Sequence, residues 1–174
     1  TKDIELLGIN DSKKLSIKKR ETLYNILPTK QGFSYSVGVA DASYINRFGI
    51  VQALNQAVIR ALDTLMLTLN TSSIHILYDG SINHTHSSID RDNTTTITKG
   101  DSVSTTIASA SIMAKVARDH YMEKLALKFP KYLWENNKGY GTQAHCEAIK
   151  TYGTSSHHRS LYLRKILGTL EENH

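Results

Sequence analysis

Apolar residues follow two different spacings along the chain, and segments of the two kinds alternate. Long segments repeat apolar residues at helical spacing, and short β-branched or apolar runs lie between them. The pattern predicts helices over residues 16–27, 49–69, 106–129, 144–152 and 161–170, and strands over 33–40, 74–78 and 94–98. Alternating strands and helices are typical of an α/β layer architecture.

Residues that start or stop regular structure support these boundaries. Ser16 is a plausible N-cap for the first helix, and Pro28 and Pro130 each follow a predicted helix. The polar stretch 81–93 is predicted to be a loop. A second loop is predicted over residues 129–142, where we expect Tyr132 and Trp134 to pack inside the protein rather than stack on bases.

Composition describes an ordinary globular chain with a modest basic excess. Its 174 residues predict a single domain over 1–174, and 21 Lys and Arg against 16 Asp and Glu give a formal charge of +5. That balance permits a polyanionic partner without requiring one. The single cysteine, Cys146, excludes an intramolecular disulfide and suits a reducing, cytoplasmic compartment. We expect no membrane partner, because the sequence has neither a spanning apolar run nor a signal peptide.

Two acidic residues lie where α/β sheets place functional groups. Asp79 ends one predicted strand, and Asp101 follows the next. Ligands of such sheets bind beyond the carboxyl ends of the strands, so neighbouring strands would direct both carboxylates into one crevice. Two carboxylates with several waters suit Mg²⁺ or Mn²⁺. The alternative is that each aspartate only caps a turn, and for either residue alone that reading is the better one.

Other common catalytic motifs do not occur in the sequence. It contains no HExxH, no zinc-spaced Cys/His cluster, no G-x-S-x-G elbow, no Walker A loop and no G-x-G-x-x-G fingerprint. Carboxylate–metal chemistry on a polyanion is therefore the interpretation consistent with both the charge and the layout.

Several strings, in order along the chain, closely resemble ribonuclease HII. They extend from Gly8 to Arg159, which is nearly the whole sequence. The strings are GINDSKKLS from Gly8, KRE from Lys19, Asp79-Gly80, Lys99-Gly100-Asp101, IASASIMAKVARD from Ile107, KGYGT from Lys138 and His158-Arg159. Ribonuclease HIII is a related alternative, but GINDSKKL resembles the HII type more.

The resemblance implies a ribonuclease H-like fold, a mixed sheet flanked by helices. It also implies a metal-dependent endoribonuclease. Its substrates would be the RNA strand of RNA–DNA hybrids and ribonucleotides embedded in duplex DNA. Four carboxylates and Mg²⁺ or Mn²⁺ serve this reaction in the family, in which water attacks the phosphate and leaves 5′-phosphate and 3′-hydroxyl ends. We expect the protein to act as a monomer.

The same resemblance assigns roles to individual residues. Asp79 matches the third carboxylate of the family and Asp101 the fourth. Tyr140 matches the tyrosine that stacks under the sugar of the deoxynucleotide at the RNA–DNA junction. Lys13 lies in the segment that approaches the nucleic-acid backbone, and Lys99 and Lys138 are further candidates for nucleic-acid contacts.

One departure from the family concerns the first strand, which carries Asp-Glu-Ala-Gly-Arg-Gly. This motif does not occur here, and neither does the apolar second strand. The first two carboxylates and the Gly-Arg-Gly reader of the 2′-hydroxyl are then absent. In a sheet of strand order 3-2-1-4-5, residues 33–40 would lose their neighbours. Together with the non-Met Thr1, this predicts a chain that lacks its beginning, folds poorly by itself and is inactive alone.

Two alternatives remain open. The chain could be a degenerate, non-catalytic hybrid-binding remnant of the same fold. An unrelated basic α/β scaffold would leave the long KGD…SASIMAKVARD match without an explanation.

Overall fold

The fold is described here from a computed structural model, which covers residues 7–9, 11–69, 74–80 and 91–167. Helices and strands alternate as expected. The helices are α1 (Ile17–Ile26), α2 (Ala42–Leu69), α3 (Thr105–Lys128), α4 (Trp134–Asn137), α5 (Gln143–Tyr152) and α6 (Ser160–Leu167). The strands are β1 (Ile76–Asp79) and β2 (Thr94–Ile97), and 3₁₀ turns cover Leu27–Thr29, Arg91–Asn93, Gly100–Ser102 and Pro130–Tyr132. No helix among the described residues is long and apolar enough to cross a membrane.

Side-chain caps fix where several helices begin. The Ser16 hydroxyl accepts a hydrogen bond from the Lys19 N–H at 3.2 Å, which confirms the predicted N-cap of α1. Asp41 Oδ1 accepts from the Tyr44 N–H at 2.8 Å at the start of α2. Residues 42–48 form a helical segment ahead of the predicted start at residue 49, and the predicted helix over 49–69 matches the second part of α2. Gly49 interrupts it with a φ of 81°, a left-handed conformation that glycine adopts at little cost.

The predicted strand over residues 33–40 is wrong. These residues form no strand, and the described sheet consists of β1 and β2 alone. A strand requires a ladder of hydrogen bonds to a neighbour, and alternating side chains do not supply one. Tyr35, Val37 and Val39, whose alternation with small residues predicts the strand, are exposed.

Strands β1 and β2 are parallel neighbours. Ile76 pairs with Thr94 and Asp79 with Ile97, so both strands run toward the same edge. Parallel strands need a crossover connection between them, here residues 80–93, of which 81–90 lie outside the described part of the chain. The predicted loop over 81–93 therefore falls mostly on residues that are not described.

The chain divides into two compact units, Thr1–Gly38 with Val58–Ala117 and Val39–Ala57 with Arg118–His174. The core of the first unit contains Leu23 and Leu27 of the first helical segment and Ile112, Met113 and Val116 of α3. The core of the second contains Met122, Leu125, Ala126, Tyr132, Trp134, Ala148 and Ile149. The expectation of a single domain over residues 1–174 stays a prediction.

Candidate nuclease site

The candidate acidic residues lie at one end of the two-stranded sheet. Asp79 is the last residue of β1, and the Gly80 N–H donates to the Ile97 carbonyl at 3.1 Å. Asp79 Oδ1 then accepts a hydrogen bond from the Gly100 N–H at 2.8 Å. This bond joins the Asp79 carboxylate to the turn that carries Asp101. We call Asp79, Lys99, Gly100 and Asp101 the carboxylate edge.

Side-chain packing at this edge leaves little room at position 100. Gly100 is buried, and a Cβ built on it would lie 2.4 Å from Ile107 Cδ1. The preceding Lys99 has a φ of 55°, a left-handed conformation that costs about 1 kcal/mol or more in a residue with a side chain. The turn between β2 and α3 is therefore tightly constrained, which fixes the position of the Asp101 backbone from which the side chain extends.

Exposure and charge suit this edge to a cation. The Asp79 side chain is exposed and that of Asp101 is half-buried, so water reaches both carboxylates. Burial, and then the charge of Asp79, raise the pKa of the Tyr78 hydroxyl. One Asp79 oxygen receives the Gly100 N–H, and the other oxygen remains for a hard cation such as Mg²⁺. The two carboxylates thus fit half of a four-carboxylate ligand set. No group of three or more potential metal ligands occurs among the described residues.

Lys13 lies in a loop, residues 11–15, whose backbone carbonyls accept hydrogen bonds from a buried arginine. We call it the Lys13 loop. Arg20 Nη1 donates to the Ser12 carbonyl at 3.0 Å and to the Leu15 carbonyl at 2.6 Å. The Ser12 and Ser111 hydroxyls lie 2.9 Å apart. The Lys13 side chain is exposed on this loop. Sequence analysis missed Arg20, although the KRE string was among the motifs, because a basic residue on a helix normally faces solvent.

Tyr140 and Lys138 lie in the second unit, in the Tyr140 loop, residues 138–142. Asn137 organises this loop: its Oδ1 accepts the Gly139 N–H and its carbonyl accepts the Tyr140 N–H, both at 2.8 Å. The Tyr140 side chain is 58% exposed, which leaves its ring available to a ligand. Lys138 has a φ of 49° and forms an ion pair with Glu123. Its ammonium therefore already has a partner within the protein.

Tyr132 and Trp134 are buried and stacked with ring centroids 5.0 Å apart, which confirms that they pack inside the protein. The structure brings Asp79, Lys99 and Asp101 together and places Lys13 in the same unit. It places Lys138 and Tyr140 in the other unit.

Comparison with known proteins identifies the family. A sequence model of the ribonuclease HII family matches residues 1–165 of this chain. The chain belongs to the ribonuclease HII family. This confirms the resemblance drawn from the motifs, and it makes the chain a member of a family of ribonuclease H type 2 endonucleases.

Curated ribonucleases HII align along most of the chain. That of Fusobacterium nucleatum subsp. nucleatum is 44% identical over 169 residues, which is 97% of this chain and 76% of that protein. That of Wolbachia sp. subsp. Brugia malayi is 40% identical over 161 residues, 92% of this chain and 74% of that protein. The chain thus spans about three quarters of the length of these two relatives.

A solved structure shares the fold at low sequence identity. The crystal structure of a mutant of Bst-RNase HIII matches with a TM-score of 0.64 at 16% identity. The match covers 97% of this chain and 61% of that one. It confirms the predicted α/β fold of ribonuclease H type. At this identity the likeness concerns the fold alone.

Proposed function

We propose that this member of the ribonuclease HII family is a metal-dependent endonuclease. The enzyme cleaves the RNA strand of RNA–DNA hybrids and cleaves at ribonucleotides embedded in duplex DNA, leaving 5′-phosphate and 3′-hydroxyl ends. One observation carries the proposal: parallel neighbouring strands end at Asp79 and just before Asp101, and the Gly100 N–H ties the two together. The family match supports the same activity.

In this proposal Asp79 and Asp101 hold the divalent cation, Mg²⁺ or Mn²⁺. Both carboxylates are reached by water, and hard cations of this kind prefer oxygen ligands. A divalent cation bound there supplies positive charge to the phosphate oxygens of the reaction. The hydrogen bond from Gly100 keeps the Asp79 carboxylate at the strand end before any substrate arrives.

The basic and aromatic residues bind the nucleic acid. Lys13 and Lys99 are exposed and supply positive charge toward backbone phosphates. Tyr140 offers an exposed ring on a hydrogen-bonded main chain, which suits stacking under a sugar at the RNA–DNA junction. Lys138 contributes a further contact if a phosphate replaces Glu123 as its partner. We place the reaction in the cytoplasm and assign it to a monomer.

The same proposal states what the 174 residues do alone. Four carboxylates serve the family's reaction, and Asp79 and Asp101 match two of them. The sequence does not contain the Asp-Glu-Ala-Gly-Arg-Gly motif that carries the other two. We therefore expect no cleavage by this polypeptide by itself.

The decisive experiment joins a ribonuclease HII segment that carries this motif to the chain. A duplex with one ribonucleotide and Mn²⁺ is the substrate, and product ends are read by gel. We expect cleavage by the extended chain and at least about 100-fold less in its Asp79→Asn and Asp101→Asn variants, because a metal ligand charge is lost. Asp79→Asn keeps an oxygen acceptor for the Gly100 N–H, so its loss of cleavage would come from the lost charge and not from a lost hydrogen bond.

Three outcomes would contradict parts of this proposal. No cleavage by the extended, folded chain rejects the endonuclease and favours the hybrid-binding remnant. Unchanged rates in both Asn variants reject the roles of Asp79 and Asp101. Cleavage by the 174 residues alone rejects their inactivity and leaves the endonuclease in place.

A further inference from the structure

Two buried histidines lie directly behind the Tyr140 loop. His145 of α5 and His158 are 4% and 7% exposed, and their Nε2 atoms lie 3.3 Å apart. Trp134 Nε1 donates to His145 Nε2 at 3.1 Å, and His145 Nδ1 lies 2.9 Å from the Tyr140 carbonyl oxygen. We call Trp134, His145 and His158 the histidine cluster.

The fixed donors and acceptors around the two rings determine which nitrogens carry protons. A carbonyl only accepts, so His145 Nδ1 must be protonated and donate to Tyr140. The indole N–H only donates, so His145 Nε2 must be the acceptor. The Ser155 N–H donates to His158 Nδ1 at 2.9 Å, which leaves the His158 proton on Nε2, directed at His145. One neutral tautomer of each ring is consistent with these contacts, with the single lone pair of His145 Nε2 shared between the N–H groups of Trp134 and His158.

The surroundings of His158 favour its neutral ring. Burial, and then the charge that His145 would carry, lower the pKa of His158 to about 4. A second proton on either ring would also place an N–H against another N–H, at Trp134 or at Ser155. Near neutral pH the bond from His145 to Tyr140 therefore has one orientation.

The main chain of Tyr140 depends on this bond. Its carbonyl accepts from His145 Nδ1 and from the Thr142 N–H at 2.8 Å, while the Thr142 hydroxyl caps α5 by accepting the His145 N–H. The Tyr140 ring itself is mostly exposed. The position of the ring is thus set through its main chain, and His145 contacts that main chain from the buried side.

We infer that His145 is a positioning residue for nucleic-acid recognition: its Nδ1–H, oriented by Trp134 and His158, holds the carbonyl of Tyr140 so that the exposed ring is presented to the substrate. The recognition part of this inference rests on the proposed function, since it takes Tyr140 as the residue that stacks at the RNA–DNA junction. The positioning part concerns the main chain alone.

Two amide variants separate the bond to Tyr140 from simple packing. The amide of His145→Asn can place a donor near the position of Nδ1, whereas that of His145→Gln reaches only the position of Nε2. Hydrogen exchange at the Tyr140 and Thr142 amides is measured in both. We expect about fivefold faster exchange or more in His145→Gln, the effect of one lost hydrogen bond, and near wild-type exchange in His145→Asn. Similar exchange in the two variants would overturn the positioning role.

Affinity for a duplex with one embedded ribonucleotide is measured by fluorescence anisotropy on the same proteins. We expect His145→Gln to bind about fivefold more weakly, and His145→Asn to bind like wild type. Faster exchange without weaker binding would overturn the recognition part of the inference. If the wild-type chain does not bind the duplex, the proposed function is at fault, and the exchange comparison still decides the positioning part.

The wild-type chain supplies a test that depends on no variant. Imidazole ¹⁵N shifts report the tautomer of each ring. The expected spectrum has the proton on Nδ1 of His145 and on Nε2 of His158. The opposite tautomer of His145 would overturn the inference, because the Tyr140 carbonyl would then have no donor on that ring.

Discussion

The carboxylate edge and the histidine cluster differ in nearly every physical respect. The edge lies at the end of two four-residue strands whose side chains are half-buried or exposed, and one hydrogen bond joins Asp79 to Gly100. The histidine cluster is buried, and four hydrogen bonds define the protonation of its two rings. The roles we propose for the two regions account for the difference. Carboxylates that bind a cation need access to water, whereas groups that only orient a loop gain from its exclusion.

The difference also shows where stability is concentrated. Aromatic rings fill the interior of the second unit, where Phe129 and Tyr132 both contact Trp134. Strand β1 offers side chains such as Leu77, which is 37% exposed. Truncating a side chain should therefore lower the free energy of unfolding far more in the aromatic interior than in the strand.

The largest expected effect comes from truncating the interior of the second unit. Trp134 is 1% exposed and donates to His145, so Trp134→Ala should lower the free energy of unfolding by about 3–5 kcal/mol. Leu77→Ala, the matched change in β1, should cost about 1 kcal/mol because its side chain is already partly in water. Urea unfolding of both variants measures the comparison. Equal losses would show that the two regions do not differ in stability.

A smaller effect should follow from pH. The pKa of His158 is about 4 in the folded protein against 6.5 for an ordinary histidine. Below pH 6.5 His158 therefore binds a proton in the unfolded chain but stays neutral in the folded chain. The free energy of unfolding should therefore be unaffected by this group above pH 6.5 and should fall as the pH is lowered toward 4, by up to about 1.4 kcal/mol per pH unit and about 3 kcal/mol in all. His158→Asn should remove this part of the slope in urea unfolding, and an unchanged slope would refute it.

The smallest effect on stability concerns two glycines, one in the carboxylate edge and one in the Tyr140 loop beside the histidine cluster. Gly100→Ala would bring Cβ to 2.4 Å from Ile107 Cδ1, which should cost about 1–2 kcal/mol. Gly141→Ala, in the Tyr140 loop, meets no atom within 4 Å and should stay within about 0.5 kcal/mol of wild type. Thermal unfolding distinguishes the two. A neutral Gly100→Ala would mean that the carboxylate edge is loosely packed.

The spacing of apolar residues predicts those elements that are stabilised within their own segment, above all the helices. Residues 16–27 and 106–129 were predicted as helices, and the structure places α1 and α3 there with small shifts at their ends. The segment 33–40 failed because a strand exists only through its neighbour, and alternating residues do not reveal whether a neighbour is present. For the candidate site, strand ends located Asp79 and Asp101, but their roles stay predictions.

Arg20 and His145 were missed for a related reason. Each acts on a backbone carbonyl several residues away in sequence, and nothing in its immediate neighbours distinguishes it from a surface charge or a solvated histidine. A signal for each was present. Arg20 follows GINDSKKL closely, and His145 stands three residues after KGYGT, so both lie beside the loops they hold.

The contact between the hydroxyls of Ser12 and Ser111 has a consequence in time. The two residues are 99 positions apart. A ribosome that adds about 5–20 residues per second needs on the order of 5–20 s to cover that distance. Throughout that interval the Lys13 loop can be held by Arg20 from its own side but not yet by α3. Newly made chains should therefore acquire this loop in two stages, one set by local folding and one by the pace of translation.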